Sequence, residues 1–163
     1  MKSTDTMVIF YTNYFSNFHK CKFMENGIIF NCTEQYFMYY KALTFADKNN
    51  TNENIAAKIL QTTDPFEIKR LGREVRDYDD GLWSAIRYGI MLRGNILKYT
   101  QNTDLMIKLS STGNKTLVEA SPTDTIWGVG LAEKDPLILD SNNWTGQNLL
   151  GKCLMEVRTR LCN

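Results

Sequence analysis

At 163 residues, with 43% hydrophobic and 12% aromatic content, the chain can bury a core of the size that one domain needs. Its 19 Lys and Arg offset 18 Asp and Glu, which excludes a global field for gathering polyanions; a nucleic-acid partner would need a local basic site. Residues 1–6 lack the basic start and apolar run of a signal peptide, no stretch reaches the ~18 apolar residues of a membrane span, and four cysteines without a C-x-x-C plus one histidine exclude an ordinary zinc site.

A soluble, intracellular and hence cytoplasmic protein is expected, with thiols rather than disulfides and no metal or cofactor. Residues 7–11, 20–24 and 27–32 read as short strands, and Asn26-Gly27 between the last two is a type I′ hairpin signal, because that turn needs positive φ at both central residues. Thr33 is placed to cap a helix running to about Phe45. Tyr36, Phe37, Met38, Tyr39, Tyr40 and Leu43 cover most of its circumference, the mark of a buried helix, and Glu34 and Lys41 interrupt that apolar run. Further helices are predicted over 53–61, from Asp64-Pro65-Phe66-Glu67 to a stop at Gly72, over 80–99 and over 104–109. Residues 116–120 and 125–129 look extended, with Ser121-Pro122 as a turn, and 147–161 forms a closing amphipathic helix. The fold class is α+β: a predominantly helical single domain over residues 1–163 with a small antiparallel sheet.

Three constellations can carry chemistry. Seven helical residues return the chain to within about 20° of its starting face, so Glu34 and Lys41 share a face about 10 Å apart and frame a small ligand. A carboxylate there can stabilise an oxocarbenium-like transition state, and a desolvated lysine can attack a sugar C1′. Spacing alone favours the plainer reading, in which Glu34 complements the helix dipole while Lys41 reaches solvent. In Asp124-Thr125-Ile126-Trp127-Gly128-Val129-Gly130 the glycines permit close backbone approach, Trp127 offers a flat face and Asp124 can hold a ribose hydroxyl; a strand with a core Trp is the plainer reading. Arg70-Leu71-Gly72-Arg73 sets two guanidiniums at a helix end, suited to a phosphate or to the helix dipole, with Trp83, Arg87 and Lys98 able to add contacts. No P-loop, Rossmann or nucleophile-elbow motif is present, and His19 reads as a packing residue.

Taken in order, Phe15-Ser16-Asn17-Phe18, Thr33-Glu34-Gln35-Tyr36-Phe37 leading to Lys41, Leu71-Gly72-Arg73, Trp83, Lys98-Tyr99, Leu117-Val118-Glu119-Ala120, residues 124–130 and Gly146-Gln147-Asn148-Leu149-Leu150-Gly151 resemble the NADAR, or YbiA-like, family. The resemblance implies an N-glycosidase with Glu34, Lys41 and Asp124 as catalytic residues. It further implies that Asn17, Phe18, Arg73, Trp83, Glu119, Trp127, Gly128, Gly130 and Asn148 bind ligand. The two guanidiniums of Arg70-Leu71-Gly72-Arg73, which suit a diphosphate, favour ADP-ribosyl adducts among the substrates the resemblance allows, in particular ADP-ribosylated guanine in DNA or RNA; phosphoribosyl intermediates of riboflavin synthesis, or a non-catalytic ADP-ribose- or NAD-binding module, are the alternatives. Gln35 stands where the family usually has His, which removes a neighbouring general acid, and residues 131–144 form a longer loop than the resemblance leads one to expect.

Overall fold

The computed structural model describes every residue except Ala46, Lys48 and Asn163. In chain order the elements are β1 (Lys2–Ser3), β2 (Met7–Phe10), β3 (Phe23–Glu25), β4 (Ile28–Phe30), α1 (Thr33–Thr44), α2 (Thr51–Gln61), α3 (Pro65–Gly72), α4 (Asp80–Thr100), α5 (Thr103–Ser110), β5 (Thr116–Glu119) and α6 (Leu149–Cys162), with short 3₁₀ turns at Pro136–Leu139 and Ser141–Asn143. Among the described residues, six α-helices and two small sheets make this an α+β protein, as expected. None of the described helices is long and apolar enough to cross a membrane. Two compact units are present, one from Met1–His19 with Thr103–Asn163, the other from Lys20–Asn102.

In the Lys20–Asn102 unit, Asn26 and Gly27 take φ of 51° and 81°, the two positive values that the turn demands, and β3 pairs antiparallel with β4 in the register Glu25↔Ile28. The inward residues of this ribbon, Phe23 and Phe30, pack with Tyr36 of α1 into an aromatic cluster that also takes in Ile90 and Leu97 of α4. Helix α1 is the hub, packing on α2, α3 and α4. It begins one residue earlier than a Thr33 cap allows: Cys32 is the N-cap, without a side-chain cap bond, and Thr33 is already helical and fully buried. Helix α3 starts as its sequence dictates, with Pro65 in the first turn and Asp64 accepting from the Phe66 N–H. It keeps Gly72 as its last residue, with Arg73 as the C-cap in place of a glycine stop.

In the other unit, β2 lies between β1, antiparallel, and β5, parallel, with Ile9 opposite Val118. The parallel pairing departs from the purely antiparallel expectation; β2 and β5 are far apart in the chain, so the long connection that parallel strands need is available. Ile9, Val118, Ala120, Val129 and Ile138 form its core, with Leu131 and Trp144 packed against it. The long loop that carries Leu131 and Trp144 is thereby tied down, and the Trp144 indole N–H donates to the Ile138 carbonyl at 2.9 Å. Residues 125–129 form no strand: Asp124 Oδ1 accepts from the N–H groups of Ile126 and Trp127, at 3.0 and 2.8 Å, and winds the segment into a turn.

Candidate active site

Glu34 lies in the first turn of α1 and is 5% exposed. Seven residues on, Lys41 returns to that face and is half-buried, its Nζ donating to the Gly72 carbonyl at 2.8 Å and lying 4.8 Å from the centre of the Tyr78 ring. That carbonyl is one of the groups that the end of α3 leaves without an intrahelical partner, so a cation is electrostatically welcome there. Burial lowers the pKa of Lys41; the charge of Glu34 acts against this and that of Arg73 adds to it. The acid, the amine and the guanidinium therefore share one electrostatic neighbourhood. Close approach of α1 and α3 depends on Gly72, where an added Cβ would fall 2.1 Å from Met38 Sδ. Trp83, 5% exposed in the first turn of α4, sits 5.0 Å from Phe37 of α1, ring centre to ring centre.

Two expectations about this unit need correction. Arg70 is held by Glu67 on its own helix and by Glu74 just beyond its end, so of the paired guanidiniums Arg73 is the one left near Lys41. Lys98 does not lie on a helix surface but is fully buried, its Nζ 5.2 Å from the Tyr99 ring centre.

The remaining predicted residues fall in the other unit, where the structure brings several of them together. Glu119, at the end of β5, is 7% exposed, and its carbonyl accepts from the Val129 N–H at 3.0 Å. Gly128 lies so close that a Cβ would stand 2.8 Å from the Asp124 carbonyl and 3.1 Å from that of Glu119, and Gly130 takes a φ of 76°. Trp127 and Asp124 are half-buried. Asn148, expected to touch ligand, is 1% exposed and braces β5 instead: Nδ2 donates to the Leu117 carbonyl at 2.9 Å and Oδ1 accepts from the Glu119 N–H at 3.0 Å. Asn17, 7% exposed beside the half-buried Phe18, has a buried Oδ1 for which no hydrogen-bond partner is found among the described residues.

Residues 9–162 match the family model of the NADAR domain. This chain belongs to the NADAR family. The NADAR chain is 46% identical over 125 residues to N-glycosidase R617 of Acanthamoeba polyphaga mimivirus, covering 77% of itself and 71% of that protein. It is 39% identical to Protein irg-1 of Caenorhabditis elegans, over 97% of the chain and 81% of the relative. Among solved structures it resembles the NMR structure of the E. coli protein YbiA, at 26% identity and a TM-score of 0.75, covering 99% of this chain and 88% of that one. Sequence reasoning missed two groups that lie beside Lys41 in the NADAR chain. Tyr78 carries no motif, and its place beside Lys41 is set by packing on Phe45, 5.3 Å away. The Gly72 carbonyl is backbone, which composition cannot flag. Gln35, noted only as a departure, turns out to be a brace: fully buried, its Oε1 accepts from the Asn31 N–H at 2.7 Å, and its Nε2 donates to the carbonyls of Ile59 and Thr62, both at 2.9 Å.

Proposed function

We propose that this NADAR protein is an N-glycosidase that hydrolyses the bond between C1′ of ADP-ribose and a nitrogenous base, with ADP-ribosylated guanine in DNA or RNA as its substrate. The observation that carries the reading is the Lys41 amine, desolvated and lowered in pKa, held at the end of α3 within the field of Glu34. A lowered pKa enlarges the neutral fraction that can act as a nucleophile. Lys41 Nζ attacks C1′ as the C1′–N bond to the base breaks, and the base leaves with one Nζ proton relayed by Glu34. Transfer of the remaining Nζ proton to O4′ as the ring opens then gives an imine, which water hydrolyses to free ADP-ribose and the regenerated amine. Glu34 steadies the positive charge that develops at C1′ and takes up a proton from Nζ or from water.

Arg73 offers a guanidinium to the diphosphate and Trp83 a flat wall. In the other unit the resemblance assigns a catalytic role to Asp124, one of whose carboxylate oxygens is committed to its turn. It also assigns ligand contacts there to Trp127, Asn17, Phe18 and Glu119, with Gly128 and Gly130 allowing close backbone approach.

The test incubates the protein with an ADP-ribosylated oligonucleotide and, separately, with phosphoribosyl intermediates of riboflavin synthesis, following the released base by chromatography. Glu34→Gln and Lys41→Ala are each expected to lose at least about 100-fold in turnover while remaining folded. Borohydride should trap a sugar adduct on the wild type and none on Lys41→Ala. Release from the riboflavin intermediates alone would move the substrate assignment to small metabolites. Binding of ADP-ribose without turnover of any adduct would sink the enzymatic reading.

A further inference from the structure

A cavity of about 400 Å³ lies in the Lys20–Asn102 unit, lined by Tyr36 and Tyr40 of α1 and by Ala85, Ile86, Gly89, Ile90 and Arg93 of α4. It is not the catalytic face. Around α1, Tyr36 and Tyr40 each stand about 100° or more from both Glu34 and Lys41, so the two tyrosines present a different side of the helix. One wall is aromatic and the other aliphatic. Between them Gly89 leaves the slot open, since a Cβ added there would meet nothing within 4 Å.

A fixed polar cluster closes one end. The Glu25 carboxylate, 7% exposed, accepts at Oε2 from the hydroxyls of Tyr36 and Tyr40, at 3.0 and 2.6 Å, and at Oε1 from Arg93 Nε. Burial and Glu25 push the Tyr40 phenol up to about 12 and raise Tyr36 further, so both stay protonated and both hydroxyl protons stay committed to Glu25. The carboxylate is thus saturated, whereas Arg93 is not. Its side chain is 63% exposed, it gives Glu25 only its Nε edge, and among the described residues no hydrogen bond from its two Nη amines is found. An Arg fork with one edge free at the mouth of a flat, apolar slot has the complementarity of one ligand type.

We infer that the groove between α1 and α4 is a second binding site, separate from the N-glycosidase site, for a flat aromatic ring bearing an anionic group. The ring enters between Tyr40 and the Ile86–Ile90 wall, and the anion, a phosphate or a carboxylate, meets the free edge of Arg93. The volume suits a bicyclic ring with one such group.

The experiment titrates ¹⁵N-labelled protein with 1-naphthyl phosphate and with 1-naphthoate and follows the backbone amides. Saturable shifts centred on residues 85–93 with either probe are expected, and the tighter of the two names the anion. Neutral 1-naphthol should bind at least roughly tenfold more weakly than the tighter anion. Arg93→Lys keeps a counter-charge for Glu25 but loses the planar fork, and should weaken binding about tenfold. Gly89→Leu fills the slot without touching the Glu25 cluster and should abolish it, while Glu34→Gln leaves it intact. The inference is overturned if no shift saturates at millimolar probe, if Gly89→Leu binds as the wild type does, or if the shifts centre on Lys41 and Arg73.

Discussion

In the proposed mechanism Lys41 is the nucleophile, and its surroundings fix the sign of a pH experiment. Because burial and Arg73 favour the neutral amine while Glu34 favours the ammonium, turnover at saturating substrate should rise with pH through a limb placed below the ordinary lysine value. Replacing Arg73 by Gln removes a cation that disfavours the ammonium, so the limb should move to higher pH; a limb that stays in place or moves lower would take Arg73 out of this neighbourhood. Gln35 belongs to the same scale but to stability. In Gln35→Leu the Asn31 N–H and the carbonyls of Ile59 and Thr62 lose their side-chain partner, and about 3 kcal/mol of loss is expected in a urea unfolding curve. The pairing of Glu34 with Lys41 was legible from helical period alone, since a seven-residue spacing sets the face whatever surrounds it. The fate of Arg70 was not. Carboxylates three residues before it and four after could claim it, but sequence does not say whether a ligand would compete.

At the scale of elements, two glycines test how helix α1 is seated. A Cβ at Gly94 of α4 would come 2.6 Å from Tyr36 Cδ1, and at Gly72 of α3 it would come 2.1 Å from Met38 Sδ. Overlap alone ranks Gly72→Ala as the worse change, but compliance reverses the order. Met38 ends in a flexible thioether that can swing aside, whereas the Tyr36 ring is clamped among Phe23 and Phe30 and its hydroxyl is bound to Glu25. Gly94→Ala is therefore expected to cost about 2 kcal/mol and Gly72→Ala less than about 1, measured as shifts in denaturation midpoint at constant slope. The helices and the Asn26-Gly27 hairpin were readable because periodicity and turn chemistry are local signals. The segment 125–129 misled because Ile126 and Val129 look like strand residues, while its conformation is decided by one carboxylate, Asp124, capturing two N–H groups. Asn148 misled similarly: its side chain replaces a neighbouring strand along β5, a long-range service that leaves no periodic trace.

For the whole molecule, a net charge of +1 decides how a polymeric substrate can be found. Without a long-range field, association with an oligonucleotide rests on local phosphate contacts, and each contact with a single strand contributes a slope of about −0.7 in log affinity against log salt. The basic groups near the proposed site are few, with Arg73 beside Lys41 and Arg70 already paired with acids. A slope no steeper than about −2 is therefore expected for log kcat/KM on an ADP-ribosylated oligonucleotide between roughly 50 and 200 mM salt. A free ADP-ribosylated nucleoside should show nearly the same slope, because the diphosphate is common to both substrates. If the oligonucleotide instead gave a slope near −5 while the nucleoside stayed flat, the strand would be gripped by an extended basic surface. Recognition would then begin along the polymer rather than at the sugar, and the reading centred on Glu34 and Lys41 would describe only its final step.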